Sequence, residues 1–214
     1  MTTVLLTGFE PFGGETTNPS WSAVQEVRRR WSGPEQIHTR ELPVDFATVG
    51  GVLASALDTL RPDLVICVGQ AGGAASLRVE RVAINVDDAR IPDNAGRQPI
   101  DDAVIAGGPA AYFSSLPIKA AVAELSRLGI PTEVSQTAGT FACNHVFYRL
   151  MHSLEHSDRV TRGGFVHVPY APEQAAGTRF ASMTIETMAR GITAIVAIAL
   201  ATARDTKIGG GALH

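Results

Sequence analysis

The chain carries two cysteines, and Cys143 lies where a turn meets the start of a predicted helix, in the stretch TAGTFACNHVFYRL. The first residues of a helix feel the positive end of its dipole, and their backbone N–H groups lack helical partners. Such a place stabilises a thiolate, and the same N–H groups can donate to an oxyanion. Cys143 is therefore a candidate nucleophile. The alternative is a structural thiol, the interpretation given to Cys67 within the apolar run LVICVGQ.

A cysteine nucleophile needs a base, and the chain has six histidines. His145, His152 and His156 follow Cys143 on the predicted helix, at about 180–220° around its axis. That angle turns them to the opposite face. His167, in GGFVHVPYAP, lies near the carboxyl end of a predicted strand, at the edge of the sheet where Cys143 is also expected. His167 is the best candidate for the base.

Glu80 is the candidate for the group that orients this base. In LRVERVAINV, residues 77–86, a period of two places Glu80 on the face of the apolar residues that alternate with it. A carboxylate among such residues is costly unless it has a partner. His167 is a chemically sensible partner, since a carboxylate can hold its tautomer and stabilise its imidazolium. A structural ion pair with Arg78 or Arg90 is the alternative.

The elements that must position these residues alternate along the chain, which indicates an α/β protein with a mainly parallel or mixed sheet between two layers of helices. Without a linker or repeat, residues 1–214 are predicted to be one domain, with residues 207–214 as a disordered tail. Strands are predicted at 4–7, 37–42, 64–68, 79–86, 132–135 and 165–168, and helices at 21–30, 46–60, 118–128, 143–156 and 180–203.

The turns after the strands are expected to gather at one edge of the sheet, where ligands bind in such folds. The turn GFEPFGG lacks the spacing of a phosphate-binding loop, so a nucleotide site is disfavoured. The string HSLEH, residues 152–156, matches an HxxEH zinc motif. Its histidines lie on the helix face opposite the apolar residues Phe147, Leu150 and Leu154, so a solvated helix face is the preferred interpretation. The polar stretch 87–115 receives no assignment.

Composition excludes several classes of function. The chain is 45% hydrophobic with a net charge of −3, so it can build a core but has no basic surface for nucleic acid. The apolar segment 192–203 is shorter than the ~20 residues of a membrane span, and the N-terminus lacks the features of a signal peptide. Two cysteines form a poor disulfide framework. These features predict a cytoplasmic protein with free thiols and no membrane or nucleic-acid partner.

Four longer motifs, in order along the chain, resemble the pyroglutamyl peptidase I family of cysteine peptidases. They are VLLTGFEPFGGETTNPSW, LRVERVAINVDDARIPDNAG, QTAGTFACNHVFY and GFVHVP, and together they span most of the chain from about residue 4 to residue 170. One departure is Ala142, where the family pattern has a larger aliphatic residue. Several long motifs in the same order are far more specific than any one short pattern.

The resemblance implies a role for nine residues. Its nucleophile, base and acidic member correspond to Cys143, His167 and Glu80, the residues already favoured by spacing. The substrate-binding positions that it implies are Phe9, Phe12 and Phe141 around the ring, with Asn18, Gln70 and Arg90 nearby. A compact neutral lactam suits such an apolar pocket with a few hydrogen bonds.

The implied activity is removal of an N-terminal pyroglutamyl residue from peptides, through a thioester, with no metal and no cofactor. The family includes tetramers as well as monomers, so the resemblance also suggests a homo-oligomer. Two other interpretations stay open: a different Cys–His amidase or acyl transferase, and an inert α/β binding module in which Cys143 is only packing.

Overall fold

A mixed β-sheet forms the middle of the structure, a computed structural model that describes residues 1–211. Six strands pair in the order β2-β1-β3-β8-β4-β7, and two others, β5 and β6, form a separate ribbon. Every pair in the larger sheet is parallel except β4 with β8. The strands are β1 (Thr3–Phe9), β2 (Gln36–Leu42), β3 (Leu64–Gln70), β4 (Leu77–Glu80), β5 (Val82–Ile84), β6 (Ala111–Phe113), β7 (Thr132–Ser135) and β8 (Arg162–Val168).

Helices cover both faces of this sheet, which confirms the predicted α/β/α fold. Along β1 the side chains alternate: Val4 and Leu6 join an apolar cluster with α1, α3 and α6, while Leu5 joins a second cluster with α2 and α4. The helices are α1 (Pro19–Arg30), α2 (Val49–Leu60), α3 (Ile118–Arg127), α4 (Ala142–Glu155), α5 (Pro172–Ala175) and α6 (Ile185–Ala201).

The predicted strand 79–86 is wrong, because the chain leaves the main sheet at Arg81. The Arg81 N–H donates to Ser135 of β7, whereas the Arg81 carbonyl accepts from Ser114 just beyond β6. The backbone therefore passes from one sheet to the other at this residue. Val82 and Ile84 are only half-buried in the ribbon, so they do not share a core face with Glu80 as the alternation predicted.

The last helix, α6, begins at Ile185, five residues after the predicted start. The Thr184 side chain accepts from the Thr187 N–H and caps the helix there, while Met183 donates its N–H to the Tyr170 carbonyl. The apolar face of α6 is buried against the sheet, as predicted. None of the helices within residues 1–211 combines the length and apolarity that a membrane span requires.

The first part of the stretch left unassigned by the sequence, residues 87–102, forms an ordered cover over the carboxyl ends of β1 and β2. Asp87 and Asp102 exchange backbone hydrogen bonds, which closes the loop at its base. Further along, Asn94 donates its N–H to the Val44 carbonyl and its side chain to Glu10, at 2.8 Å. The loop is thus attached to the turns that follow both strands. Of the predicted tail, residues 212–214 lie outside the described part of the chain.

A close approach of β1 to α1 makes Gly8 essential for packing. A Cβ atom at Gly8 would lie 2.5 Å from the Cα of Trp21, a backbone atom that cannot rotate away. We expect Gly8→Ala to destabilise the fold by about 1–3 kcal/mol, the usual cost of overpacking. Urea unfolding followed by circular dichroism measures this loss.

Gly51 supplies the matched control. It is exposed in α2, and a Cβ there meets no atom within 4 Å. Gly51→Ala should therefore stabilise the protein by up to about 1 kcal/mol, since alanine loses less entropy than glycine in a helix. Equal effects of the two substitutions would contradict the packing described for β1 and α1.

Candidate active site

A buried carboxylate–imidazole pair lies where β4 and β8 run antiparallel. The Nδ1 atom of His167 is 2.8 Å from Oε1 of Glu80, and the two residues are 6% and 0% exposed. The antiparallel register places Glu80 opposite Phe165, two residues before His167 on the same face of β8. Because the carboxylate accepts, Nδ1 donates and Nε2 is left to face another group. Arg78, the alternative partner of Glu80, bonds to Glu133 instead.

Cys143 approaches this histidine through the space left by a glycine. It is the second residue of α4, and its Sγ would lie 2.7 Å from a Cβ atom at Gly69 of β3. Gly69 is in turn the register partner of His167 in the neighbouring strand. A side chain at residue 69 would occupy the position of the sulfur, so glycine is required there. The structure therefore brings Glu80, His167 and Cys143 together, as the sequence predicted.

The charges of this site favour a protonated histidine. Burial by itself would lower the pKa of His167, but the negative charge of Cys143 and its hydrogen bond, then the hydrogen bond and charge of Glu80, raise this pKa to about 9. The pKa of His167 thus lies above neutral pH, which favours the imidazolium form of its ring. The other cysteine, Cys67, is unsuited to such chemistry, because burial raises its pKa to about 12.

The start of α4 presents its N–H groups next to the same sulfur. The first backbone bond of the helix runs from the His145 N–H to the carbonyl of Phe141, the N-cap residue. A phenylalanine side chain cannot accept a hydrogen bond, so the cap leaves the first-turn donors available. These donors, at Ala142, Cys143 and Asn144, can stabilise negative charge that develops beside the sulfur.

An aromatic wall lies on the β1 side of the site. Phe12 and Phe141 are half-buried with ring centroids 5.9 Å apart, and Phe46 meets Phe141 edge-on at 5.4 Å. Phe46 was missed by the sequence analysis, which read its segment as part of a helix. Phe9 is placed behind this wall: it is fully buried and packs against Phe165. Phe12 and Phe141 thus keep part of their ring surface accessible, whereas Phe9 is buried in the apolar cluster on the same face of the sheet.

The three polar positions predicted near the substrate lie around this wall with different contacts. Asn18 is the N-cap of α1 and also donates its side chain to the Glu10 carbonyl, so it holds the turn after β1. Gln70, at the end of β3, accepts from the Gln174 side chain at 3.0 Å. Arg90 is exposed on the long loop. Direct contact of these side chains with a substrate stays a prediction.

A second histidine–carboxylate pair was missed by the sequence analysis. His145 is buried, with Nδ1 2.7 Å from Oδ2 of Asp87 and Nε2 accepting from the Arg149 Nε at 2.9 Å. Its ring also packs edge-on against Phe46. Asp87 lies in the long loop, so only the three-dimensional structure shows the contact. The pair fastens the loop and the aromatic wall to α4.

The string HSLEH does not form a metal site in the part of the chain that the structure describes. His152 is 2.8 Å from the Tyr112 hydroxyl through Nδ1, and its ring lies against the ring of His156. Across residues 1–211, no group of three or more potential ligands is placed to hold a metal ion. The helix face that carries the string is not fully solvated as predicted, because the Tyr112 of β6 covers His152.

A thiol beside an imidazole held by a buried carboxylate, at the carboxyl edge of an α/β sheet, is suited to thiol-dependent hydrolysis, the chemistry of the cysteine peptidase class. The sequence profile of the family described as pyroglutamyl peptidase matches residues 2–202. The chain belongs to this family. The clustering of these side chains thus agrees with the family that its motifs resembled.

Relatives extend this result over the whole chain. A pyrrolidone-carboxylate peptidase of Clavibacter michiganensis subsp. michiganensis is 63% identical over the full length of both chains. One from Cupriavidus taiwanensis is 56% identical, again over both full lengths. The crystal structure of pyroglutamyl peptidase I from Bacillus amyloliquefaciens superimposes with a TM-score of 0.93 at 46% identity, covering 96% of this chain and 100% of that one.

The buried Glu80 carboxylate should control the pH range of activity. Because Glu80 favours the imidazolium, Glu80→Gln will lower the pKa of His167 from its value of about 9. The imidazolium is present below this pKa and lost above it, so the alkaline limb of kcat/KM should fall near pH 9 and move to lower pH in the variant. The maximal rate should also fall, on the order of 10²-fold or more.

Glu133→Gln is the control for this substitution. Glu133 is an exposed carboxylate on the neighbouring strand β7 and bonds to Arg78 at 2.8 Å. Its pH profile should match that of the unchanged protein. An unshifted alkaline limb in Glu80→Gln would contradict the role assigned to the buried pair.

Proposed function

We propose that the protein hydrolyses the amide bond after an N-terminal pyroglutamyl residue of peptides, with Cys143 as nucleophile, His167 as base and acid, and Glu80 as the group that orients His167. The observation that carries the proposal is the position of the sulfur over Gly69, beside an imidazole whose other nitrogen is bonded to a buried carboxylate. The names of the relatives support the substrate.

The first half of the reaction forms an acyl-enzyme. With the proton of Cys143 already held on His167, the thiolate attacks the pyroglutamyl carbonyl carbon to form the C–S bond. The carbonyl oxygen becomes an oxyanion, which the N–H groups at the start of α4 stabilise. When the tetrahedral intermediate collapses, the C–N bond breaks and His167 gives its proton to the leaving amine. The pyroglutamyl group is then a thioester on Cys143.

Water completes the cycle. His167 takes a proton from a water molecule, whose oxygen attacks the thioester carbon and forms a second tetrahedral intermediate. The C–S bond breaks, pyroglutamate leaves, and the proton held by His167 restores the resting pair. Glu80 keeps its hydrogen bond with Nδ1 of His167 throughout and holds the imidazole in the orientation that both halves need.

The aromatic wall suits the recognition of a lactam. Pyroglutamate carries no α-amino charge, so its ring can leave water for an apolar site at small cost. Phe12 and Phe141 offer this surface, with Phe9 behind them, while Asn18, Gln70 and Arg90 are the polar residues proposed around it. The proposed mechanism uses no metal and no cofactor. A cytoplasmic location and a homo-oligomeric state stay predictions.

Removal of the nucleophile should abolish turnover. We expect Cys143→Ala to reduce kcat on a pyroglutamyl 7-amino-4-methylcoumarin amide on the order of 10⁴-fold or more. Prolyl and glutaminyl amides of the same fluorophore should be cleaved far more slowly by the unchanged protein. Preference for either of these would indicate a different Cys–His amidase, and full activity in Cys143→Ala would contradict the mechanism.

Alkylation should distinguish the two cysteines. Iodoacetamide is expected to modify Cys143 at neutral pH and stop the reaction, since a thiolate beside an imidazolium reacts readily. Cys67 is fully buried, so Cys67→Ala should be inactivated at the same rate and serves as the control. Mass spectrometry locates the modified residue. Modification of Cys143 only at the alkaline pH typical of free thiols would favour an inert binding module.

A further inference from the structure

An aromatic pair extends beyond the carboxyl end of β8, outside the groups used so far. The rings of Tyr170 and Phe180 have centroids 5.8 Å apart and meet at 55°. Phe180 is 48% exposed, although phenylalanine side chains are usually buried in the core. Single exposed aromatic residues are common, so exposure alone does not indicate a binding role. Whether this pair has such a role depends on its position relative to Cys143 and His167.

The pair rests on a glycine turn that follows β3. A Cβ atom at Gly72 would lie 2.4 Å from the Tyr170 hydroxyl, and one at Gly73 would lie 3.6 Å from the Phe180 ring. Gly73 also has a φ of +86°, which favours glycine. The two glycines let the backbone lie directly against both rings, so the turn and the pair form one continuous surface.

Hydrogen bonds hold this surface to the edge of the sheet that carries the catalytic groups. Ala71 donates its N–H to the Val168 carbonyl at 2.8 Å, immediately after His167. Gln174 of α5 donates to the Gln70 side chain at 3.0 Å. The turn after β3 and the turn after β8 are thereby joined within a few residues of the imidazole.

Phe180 is held in its exposed position by the loop between α5 and α6. Its N–H donates to the Thr178 side chain at 3.1 Å, and that hydroxyl donates to the Ala175 carbonyl at 2.8 Å. At the other end of the loop, Met183 donates to the carbonyl of Tyr170. The exposed ring therefore belongs to an ordered loop attached at both ends.

The order of the strands assigns the two aromatic surfaces to opposite sides of the sulfur. Cys143 lies over Gly69 of β3, between β1, which leads to Phe12, and β8, which leads to Tyr170. Strands are spaced about 4.8 Å apart, so the ends of β1 and β8 are about 10 Å apart, a distance that an acyl group and the residue after it can span. In the proposed reaction His167 of β8 protonates the leaving amine, which must therefore lie on the β8 side.

We propose that Tyr170 and Phe180 form the subsite for the residue that follows pyroglutamate, and that this subsite favours an aromatic or large apolar side chain. The inference rests on the proposed function and extends it to the leaving peptide. The subsite affects specificity only: neither residue takes part in proton transfer. Small side chains should also be accepted, since they would not contact the rings and would gain nothing from them.

A substrate series tests this subsite. The rates kcat/KM are measured for dipeptide amides in which pyroglutamate is followed by phenylalanine, leucine, alanine or glycine. In Phe180→Ala we expect the rate for the phenylalanine substrate to fall about tenfold, the size of one aromatic contact. The rates for alanine and glycine should change less than twofold. Phe180→Tyr should restore the preference, since it keeps the ring.

Phe113→Ala is the matched control. Phe113 is 70% exposed, and the next residues, Ser114 and Ser115, bond to Gly163 near the beginning of β8, at the opposite edge of the sheet. This substitution should leave all four rates unchanged. An equal loss for all substrates in Phe180→Ala, or no loss for any, would overturn the subsite.

The unchanged protein separates this inference from the proposed function. If it cleaves none of the four amides, the proposed function fails. If it cleaves all four and Phe180→Ala keeps the same order of preference, only the subsite is wrong.

Discussion

The hydrogen bond between Glu80 and His167 is the interaction on which the site depends. A carboxylate buried as completely as Glu80 would be strongly destabilising without a partner of opposite charge. One of its oxygens, Oε2, is buried without a hydrogen-bond partner within the described residues, so His167 is its main compensation. The structure therefore gains from keeping the imidazole protonated, which is the state that stabilises a thiolate. Stability of the buried pair and activation of Cys143, the proposed nucleophile, therefore have the same physical cause.

This pair requires the antiparallel pairing of β4 with β8 in a sheet whose other pairings are parallel. A parallel β4 would bring a different set of residues beside His167, whereas the observed register sets Glu80 diagonally across from it. The short length of β4 follows from the same arrangement, because the chain turns into the ribbon at Arg81, directly after the carboxylate. On the other side, the parallel pairing of β3 with β8 places Gly69 beside His167 and leaves room for the sulfur. Two strand registers thus determine the geometry of three side chains.

Patterns within single helices and strands were enough to predict that Cys143, His167 and Glu80 lie together. A helix start identified Cys143, and the carboxyl end of a strand identified His167; both depend on local patterns that persist in the fold. Glu80 does lie beside His167, but the assumed continuous alternation does not exist, since β4 ends at Glu80 itself. Phe46 and the pair of Asp87 with His145 were not predicted, because they join the site through contacts between segments that are distant in the sequence. No local pattern shows where a polar loop will fold back.

The two histidine–carboxylate pairs show why composition alone could not identify the base. Both histidines are buried, and each has Nδ1 within 2.8 Å of a carboxylate oxygen. The difference lies at the second nitrogen. In His145 it accepts from Arg149, a donor that does not give up its proton, so both ring nitrogens are occupied by lasting hydrogen bonds. In His167 the second nitrogen faces a thiol, which can exchange a proton with it. The proposed base thus differs from His145 in the partner of its second nitrogen, not in the carboxylate at its first.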